Sequence, residues 1–484
     1  MNDIKACDKA LSNRMSNVLL ISSVLFSIIA LFYLWDVATQ KYILDIIGRT
    51  LRVASIELSN GGAIYSSPAL AMPYTPGYML LNAFFIGIVG FSYELWNSIW
   101  AVNSLFFLVF FTVYFWKKAR PLALIIPLSL LACLFPFIWA RPDLLAINLL
   151  GLGTIIILDN QPNNLKKRQF IISALLFSAA IFTKQTMLPV IISVVFIFYN
   201  KQCVTREGVR SSLHFLLIVS LLFIVMMCLY MYAWNEDVKK VFAVLTLGSG
   251  HEIKVKNLFF YASMYFLVTL PPSLYVLIYC RKSIHRLVIL HLGSASYILF
   301  SAKSGGGWHH FLVFVVPWLW LIADEIRSNK LQKYRNVLWQ SMVILLLVAF
   351  YRFPFIPVKA STDDLLAIEE LQLRVQKKDN NYVLFLDAPK GFVFPGHFYA
   401  KSGYRPLYER GALEEWSGTQ KIILRELIKD IENGRFSEIY IRDGGRIGVT
   451  AYGVPYIKLY ETIGQYYQKC SNEESKYWSV LCAL

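Results

Sequence analysis

An α-helical polytopic membrane protein carrying a small C-terminal α/β domain is the fold class this sequence predicts, on three observations. Apolar runs close to the length of a bilayer span recur from Val18 to Tyr351 and then stop. Of 484 residues 56% are hydrophobic and only 16% charged, with mean hydropathy +0.50, whereas soluble domains are roughly a quarter charged. The net charge of +16 comes from basic residues in short clusters between the apolar runs. Such clusters are topology signals, so the basic balance points to membrane orientation and away from nucleic acid.

The N-terminal stretch MNDIKACDKALSNRMSN lacks a small-residue cleavage site, so Val18–Trp35 predicts an uncleaved first span. Six basic clusters follow the cytoplasmic pattern: Lys5/Lys9/Arg14, Lys117/Lys118/Arg120, Lys166/Lys167/Arg168, Lys201/Arg206/Arg210, Arg281/Lys282/Arg286 and Arg327/Lys330/Lys333/Arg335. With all six inside, the turns 36–94, 140–143, 183–186, 234–256 and 302–308 lie outside. The run GYMLLNAFFIGIVGF (77–91) is short, and counting it as a crossing would turn the second cluster outward. It therefore predicts a helix lying in or dipping into the outer leaflet, within a long outer loop 36–94.

Eleven spans result, at 18–35, 95–116, 121–139, 144–158, 169–183, 186–200, 212–233, 257–280, 287–302, 309–325 and 336–353. The three at 144–158, 169–183 and 186–200 are short, as for tilted helices or helices whose outer ends border a watery cavity. Residues 1–355 thus form a membrane domain with a cytoplasmic N-terminus. The odd count leaves 356–484 as a soluble domain outside, periplasmic in a bacterial inner membrane. There NYVLFLDAP and FSEIYIRD predict buried strands, STDDLLAIEELQLRVQ a helix, and TQKIILRELIKDIENG a helix closed by glycine. Cys470 and Cys482 are free to pair or to remain thiols if this domain is exported. No internal repeat of the kind inverted-repeat transporters show is present.

Charged residues gather on the predicted outer side. Asp36 follows the first span, FIWARPDLLA places Arg141 and Asp143 between two apolar runs, and FTKQTMLP holds Lys184. SAKSGGGWHHF adds Lys303 before three glycines, then His309 and His310. An ionised group deep in the bilayer costs about 3 kcal/mol, so such residues persist where they reach water, a partner or a ligand. Arg141 with Asp143 could be an interfacial ion pair instead, and Asp36 could simply end a helix. Lys184 has no acidic neighbour in sequence, which favours a ligand phosphate. Lys303 sits beside glycine backbone N–H groups that can hold an anion. His309 and His310 read as interfacial hydrogen-bonding groups or metal ligands. Asp45, Arg49 and Arg52 read as decoration on a helix resting on the membrane surface.

In order and topology these motifs resemble the GT-C superfamily. They are an Asp after the first span, a loop ending in YTPGYMLL, RPDLLA, TKQT and the late SAKSGGGWHHFL. Within it the chain is similar to the group containing protein O-mannosyltransferases and lipid A aminoarabinose transferases, the family-39-like glycosyltransferases, over roughly residues 15–325. The resemblance implies an inverting glycosyltransferase that takes a sugar from a polyprenyl-phosphate carrier to a glycan, lipid or protein acceptor on the outer face. It implies Asp36 and Asp143 as the catalytic carboxylates, and Lys184 and Lys303 on the donor phosphate. Arg141 and Tyr74 stand as secondary phosphate contacts. Val37 stands where many relatives carry Glu, and Thr75 where the aminoarabinose-type members carry a basic residue, so Asp45 is a reserve base, with His309 and His310 behind it.

The chemistry suits these residue types. Cleaving a sugar–phosphate bond builds negative charge on the lipid phosphate, which fixed lysines stabilise. An acceptor hydroxyl is a poor nucleophile and needs a carboxylate to take its proton. Asp143 could orient the acceptor, hold Arg141, or help a divalent cation, the one cofactor left open. The rival readings are a flippase or transporter of lipid-linked sugars and an envelope glycan polymerase or ligase.

Overall fold

The computed structural model describes residues 46–65, 74–119, 142–201, 203–246, 255–279, 284–302, 308–328, 383–386, 428–442, 457–470 and 475–484, with scattered positions in 21–35, 123–127, 253 and 363–370. The predicted spans 121–139 and 336–353 fall almost wholly outside them. The chain divides into two compact units. The first is Met1–Thr39, Asn97–Met227 and Glu252–Pro357; the second is Gln40–Trp96, Cys228–His251 and Val358–Leu484.

Among the described residues the helices include α1 (Ile46–Ser59), α2 (Gly77–Val89), α3 (Tyr93–Phe106), α4 (Thr112–Ala119), α5 (Asp143–Leu158), α6 (Lys167–Thr183), α7 (Leu188–Tyr199), α8 (Arg206–Ala233), α9 (Val238–Thr246), α10 (Val255–Tyr279), α11 (Ile284–Ala302), α12 (Val315–Ser328) and α13 (Ile457–Tyr466). Among the described residues, Glu94–Ala119, Arg206–Ala233 and Ile284–Ala302 are long and apolar enough to cross a membrane. On α8, Leu213, Leu217, Leu221, Ile224, Val225 and Leu229 are all exposed. Steps of three and four residues put them on one face, as suits a helix side turned to lipid. The chain is a polytopic membrane protein.

Within the first unit, α3 runs into a π-helical turn at Phe107–Phe111 and on into α4. The widened turn buries Phe107, Leu108 and Phe111. The Phe111 ring occupies the space that a Cβ on Gly151 would need, 2.4 Å away, and Phe177 does the same at Gly153. Those two glycines let α5 pack close to its neighbours, the usual way membrane helices gain contact without a hydrophobic driving force. Polar side chains add interhelical bonds. Asn148 Nδ2 donates to the Asn103 carbonyl (2.9 Å), and Ser178 Oγ to that of Val219 (2.9 Å). His291 of α11 bridges Tyr265 Oη (2.6 Å) and Ser273 Oγ (2.8 Å) of α10. The predicted span 309–325 differs at its start, where Trp308–Phe314 form a 3₁₀ stretch before α12. Such tighter turns are frequent at helix N-termini.

In the second unit α1 buries Leu51, Ala54 and Leu58. It ends on Gly61 at φ +78°, with the N–H of Gly62 reaching back to the Glu57 carbonyl (2.9 Å). This is the left-handed closure that glycine favours. The segment 77–91, read as a helix that dips into the membrane, contains the helix α2 of 13 residues. Among the described residues four strands form a sheet in the order β1-β2-β4-β3: β1 Val383–Leu386, β2 Glu438–Arg442, β3 Tyr467–Lys469 and β4 Trp478–Ala483. β1 and β2 lie within the two stretches read as strands. They pair in parallel, and the other pairs are antiparallel. A disulfide joins Cys470, just past β3, to Cys482 in β4.

Candidate active site

Pro142 and Asp143 start α5. Pro142 sits at the N-cap with φ −67°, where its missing N–H costs nothing, and Asp143 occupies the first helical position. A carboxylate there faces the positive end of the helix. Lys184 lies at the opposite kind of terminus. It follows α6 with an extended backbone (φ −155°, ψ 111°), its N–H still bonded to the Ala180 carbonyl (2.9 Å). A 3₁₀ turn, Gln185–Met187, then leads into α7, whose Pro189 stands in the first turn. The negative end of α6 suits a cation as the start of α5 suits an anion.

The two termini meet. Lys184 Nζ donates to Asp143 Oδ1 in a salt bridge whose side chains are 2% and 1% exposed. The acidic neighbour that Lys184 lacks in sequence comes from 41 positions away. Tyr297 of α11 donates its hydroxyl to the Thr186 carbonyl, and it packs edge-on against Phe314 at 4.9 Å between centroids. A charged pair this dry is weak evidence for stability, because desolvation of two ions offsets most of their attraction. Its chemical capacity is clearer. An ammonium that leaves the carboxylate for an entering phosphate would keep its charge compensated and release Asp143 for another partner.

Asp36, Arg141, Lys303 and Asp45 lie outside the described residues, as does the His309 side chain. His310 is half-buried in the 3₁₀ stretch before α12. Among the described residues no three His, Cys, Asp or Glu side chains gather closely enough to hold a metal ion.

The second unit positions Tyr74. Its carbonyl accepts the Tyr65 hydroxyl, and Thr75 and Pro76 behind it are buried at the head of α2. Burial, and then the Glu236 carboxylate nearby, push the Tyr65 phenol well above its ordinary pKa, so it stays a donor. Arg52, expected on a surface, is fully buried with its guanidinium 5.9 Å from the Trp96 ring centroid. Trp96 also packs edge-on to Tyr78 at 5.6 Å. Sequence reasoning missed Arg52's burial because the residues that cover it lie elsewhere in the chain. Glu236 was missed outright; its one sequence signal is an Asn-Glu-Asp run closing a long apolar helix.

No family model matches the chain, and no curated protein matches it. Solved structures do. ArnT from Cupriavidus metallidurans bound to undecaprenyl phosphate superposes with a TM-score of 0.55 at 11% identity, covering 95% of this chain and 98% of that one. The apo form of the same protein gives 0.55 at 12% identity, covering 95% and 97%. An Archaeoglobus fulgidus oligosaccharyltransferase in complex with Zn and sulfate gives 0.44 at 11%, covering 95% and 72%. The chain shares the fold of the ArnT structures.

Proposed function

We propose that the chain is an inverting membrane glycosyltransferase that moves a sugar from a polyprenyl-phosphate carrier to an envelope glycan, lipid or protein on the outer face of the bacterial inner membrane. The observation that carries this reading is the buried Asp143–Lys184 pair, built from the two helix termini that RPDLLA and TKQT supply in a GT-C-like fold. The undecaprenyl phosphate in the ArnT complex supports a lipid of that chemistry as the carrier.

In this reading Lys184 shifts from Asp143 to the donor phosphate and stabilises the charge that grows there as the bond breaks. The acceptor hydroxyl attacks the anomeric carbon from the face opposite the phosphate. The carbon–oxygen bond to phosphate breaks, its electron pair leaves with the polyprenyl phosphate, and Asp36 takes the hydroxyl proton. Asp143, released from Lys184, orients the acceptor. Lys303 and Arg141 add to the phosphate's positive surroundings, and Tyr74 is retained as a donor contact. Asp45, His309 and His310 remain in reserve, with a divalent cation beside Asp143 an option.

The test is transfer by the purified full-length protein in lipid nanodiscs supplied with polyprenyl-phosphate sugars. Expected are an inverted product and free polyprenyl phosphate, lost in Asp36→Asn without loss of folding. Movement of intact lipid-linked sugar across a liposome membrane with no bond cleavage would replace this reading with a flippase. Mass spectrometry of envelope glycans and lipids from cells lacking the protein would name the sugar and acceptor.

A further inference from the structure

The carboxylate of Glu236 is the meeting point of three donors. Its Oε1 accepts the backbone N–H of Ile64 (2.6 Å) and of Tyr65 (2.9 Å), and the hydroxyl of Tyr230 (2.8 Å). The residue is 7% exposed. The backbone is built to put it there. At the end of α8 Asn235 adopts φ +49°, and the Glu236 N–H reaches back to the Met231 carbonyl (2.9 Å). Two other described helix ends close in the same way, at Gly61 and Gly434. Asn is the residue other than glycine that tolerates this conformation best.

On the far side of Glu236, Asp237 Oδ1 accepts the N–H of Lys239 (2.8 Å) and so caps α9. The Asn-Glu-Asp run therefore ends one helix, starts the next, and turns the middle carboxylate toward residues 64–65. Aromatic groups reinforce the junction. Trp234 Nε1 donates to the Leu58 carbonyl (3.2 Å), Trp234 stacks on Tyr230 (5.4 Å), and Tyr230 meets Tyr65 edge-on (5.9 Å). From Tyr65 the hydroxyl passes the constraint on to the Tyr74 carbonyl.

We propose that Glu236 is a positioning residue: it fixes Ile64 and Tyr65, and through Tyr65 the backbone at Tyr74–Thr75 at the head of α2, where the donor is engaged. The last clause rests on the glycosyltransferase reading; the fixing itself does not. A carboxylate accepting two consecutive N–H groups holds a loop without needing regular secondary structure, and losing it leaves buried donors without an acceptor.

The experiment compares wild type, Glu236→Ala, Glu236→Gln and Tyr65→Phe as full-length protein in nanodiscs. Amide hydrogen exchange is read peptide by peptide, alongside kcat and KM for a polyprenyl-phosphate sugar. Expected in Glu236→Ala is exchange about tenfold faster over 64–65 and 74–80, the factor of 1.4 kcal/mol of lost local stability. α5 and α6 should keep wild-type exchange. Donor KM should rise about tenfold with kcat within about twofold, since a misplaced binding loop weakens ground and transition states alike. Glu236→Gln keeps an acceptor oxygen and should restore most of both. Tyr65→Phe should speed exchange at 74–80 and leave Ile64 protected. Unchanged exchange at 74–80 in Glu236→Ala overturns the proposal, as does a fall in kcat matching the rise in KM. If exchange responds as expected while wild type transfers no sugar, the positioning stands and the enzyme reading falls.

Discussion

The two ends of α5 each pair a carboxylate with a lysine, and they solve that problem differently. At the start, Asp143 and Lys184 meet with 1% and 2% exposure. At the finish, Asp159 is 38% exposed and takes hydrogen bonds from Tyr114 (2.7 and 2.8 Å), Trp320 Nε1 (2.8 Å) and Lys118. Lys118 and Lys201 lie over the Trp320 ring at 4.4 and 5.3 Å. Lys201 also caps the helix end, donating to the carbonyls of Leu158 (2.7 Å) and Asn160 (2.8 Å). A carboxylate at a helix C-terminus works against the dipole, and these donors and cations offset that.

The finish is a partly exposed, many-partnered anchor, whereas the start is a dry pair where the end of α6 meets the beginning of α5. The lesson is that charge burial separates the two roles. Surface-accessible pairs hold position at little cost, while a dry pair costs desolvation energy and is better explained by a task.

The strongest test of that contrast is Lys184→Ala. It leaves Asp143 buried without its cation, so the protein should lose about 3–5 kcal/mol of stability in detergent unfolding. Transfer from a polyprenyl-phosphate sugar should fall by about 10²–10³. Lys184→Arg, which keeps the charge, should lose less, and equal losses would count against a charge role. Next comes the double change Asp143→Asn with Lys184→Met. Replacing both ions should return stability to within about 1–2 kcal/mol of wild type, with transfer still absent. Recovered transfer would mean that the pair serves the fold alone.

At the other end of α5, Asp159→Asn should cost only about 0–1 kcal/mol after solvent screening, with full transfer. Its pH signature has a definite sign. Burial pushes the Asp159 carboxyl up, but hydrogen bonds from Lys118, Trp320 and Tyr114, with the Lys118 charge, outweigh it and hold the group below the usual carboxylate range. A folded pKa below the unfolded one gives stability that is complete above the unfolded value and is lost as pH falls through the folded value. Melting temperatures of wild type and Asp159→Asn should therefore converge below about pH 4. Convergence on the alkaline side instead would show that another group controls this end.

The smallest effect belongs to Asn235. Asn235→Gly should change stability by a few tenths of a kcal/mol at most, while a β-branched Asn235→Val should cost about 1–2 kcal/mol for its left-handed backbone. Thermal unfolding of both variants checks this.

Much of the helical framework was legible, because a membrane helix announces itself by composition alone. The apolar run 212–233 lies inside α8, and the short runs 144–158 and 186–200 correspond to the short apolar helices of the structure. RPD and TKQT also stood out as charges between apolar runs. What they would touch did not. Lys184 has no acidic neighbour in sequence, which pointed to a ligand phosphate, yet Asp143 pairs with it across 41 positions. Arg52 looked amphipathic and superficial, but it is covered by groups such as Trp96, far along the chain. Glu236 finds Ile64 across 172 positions, with no pattern near either residue to pair them.

Composition and charge placement, read from the chain alone, determined that this is a membrane protein of many apolar helices and where its helix termini carry charge. Backbone hydrogen bonding cannot be met by lipid, so an apolar run long enough to span the bilayer satisfies its own hydrogen bonds as a helix. Only the tertiary structure decided that Lys184 meets Asp143 and that Glu236 holds the backbone at Ile64 and Tyr65. Such pairings depend on which helix ends converge in space, and no local energy term records that.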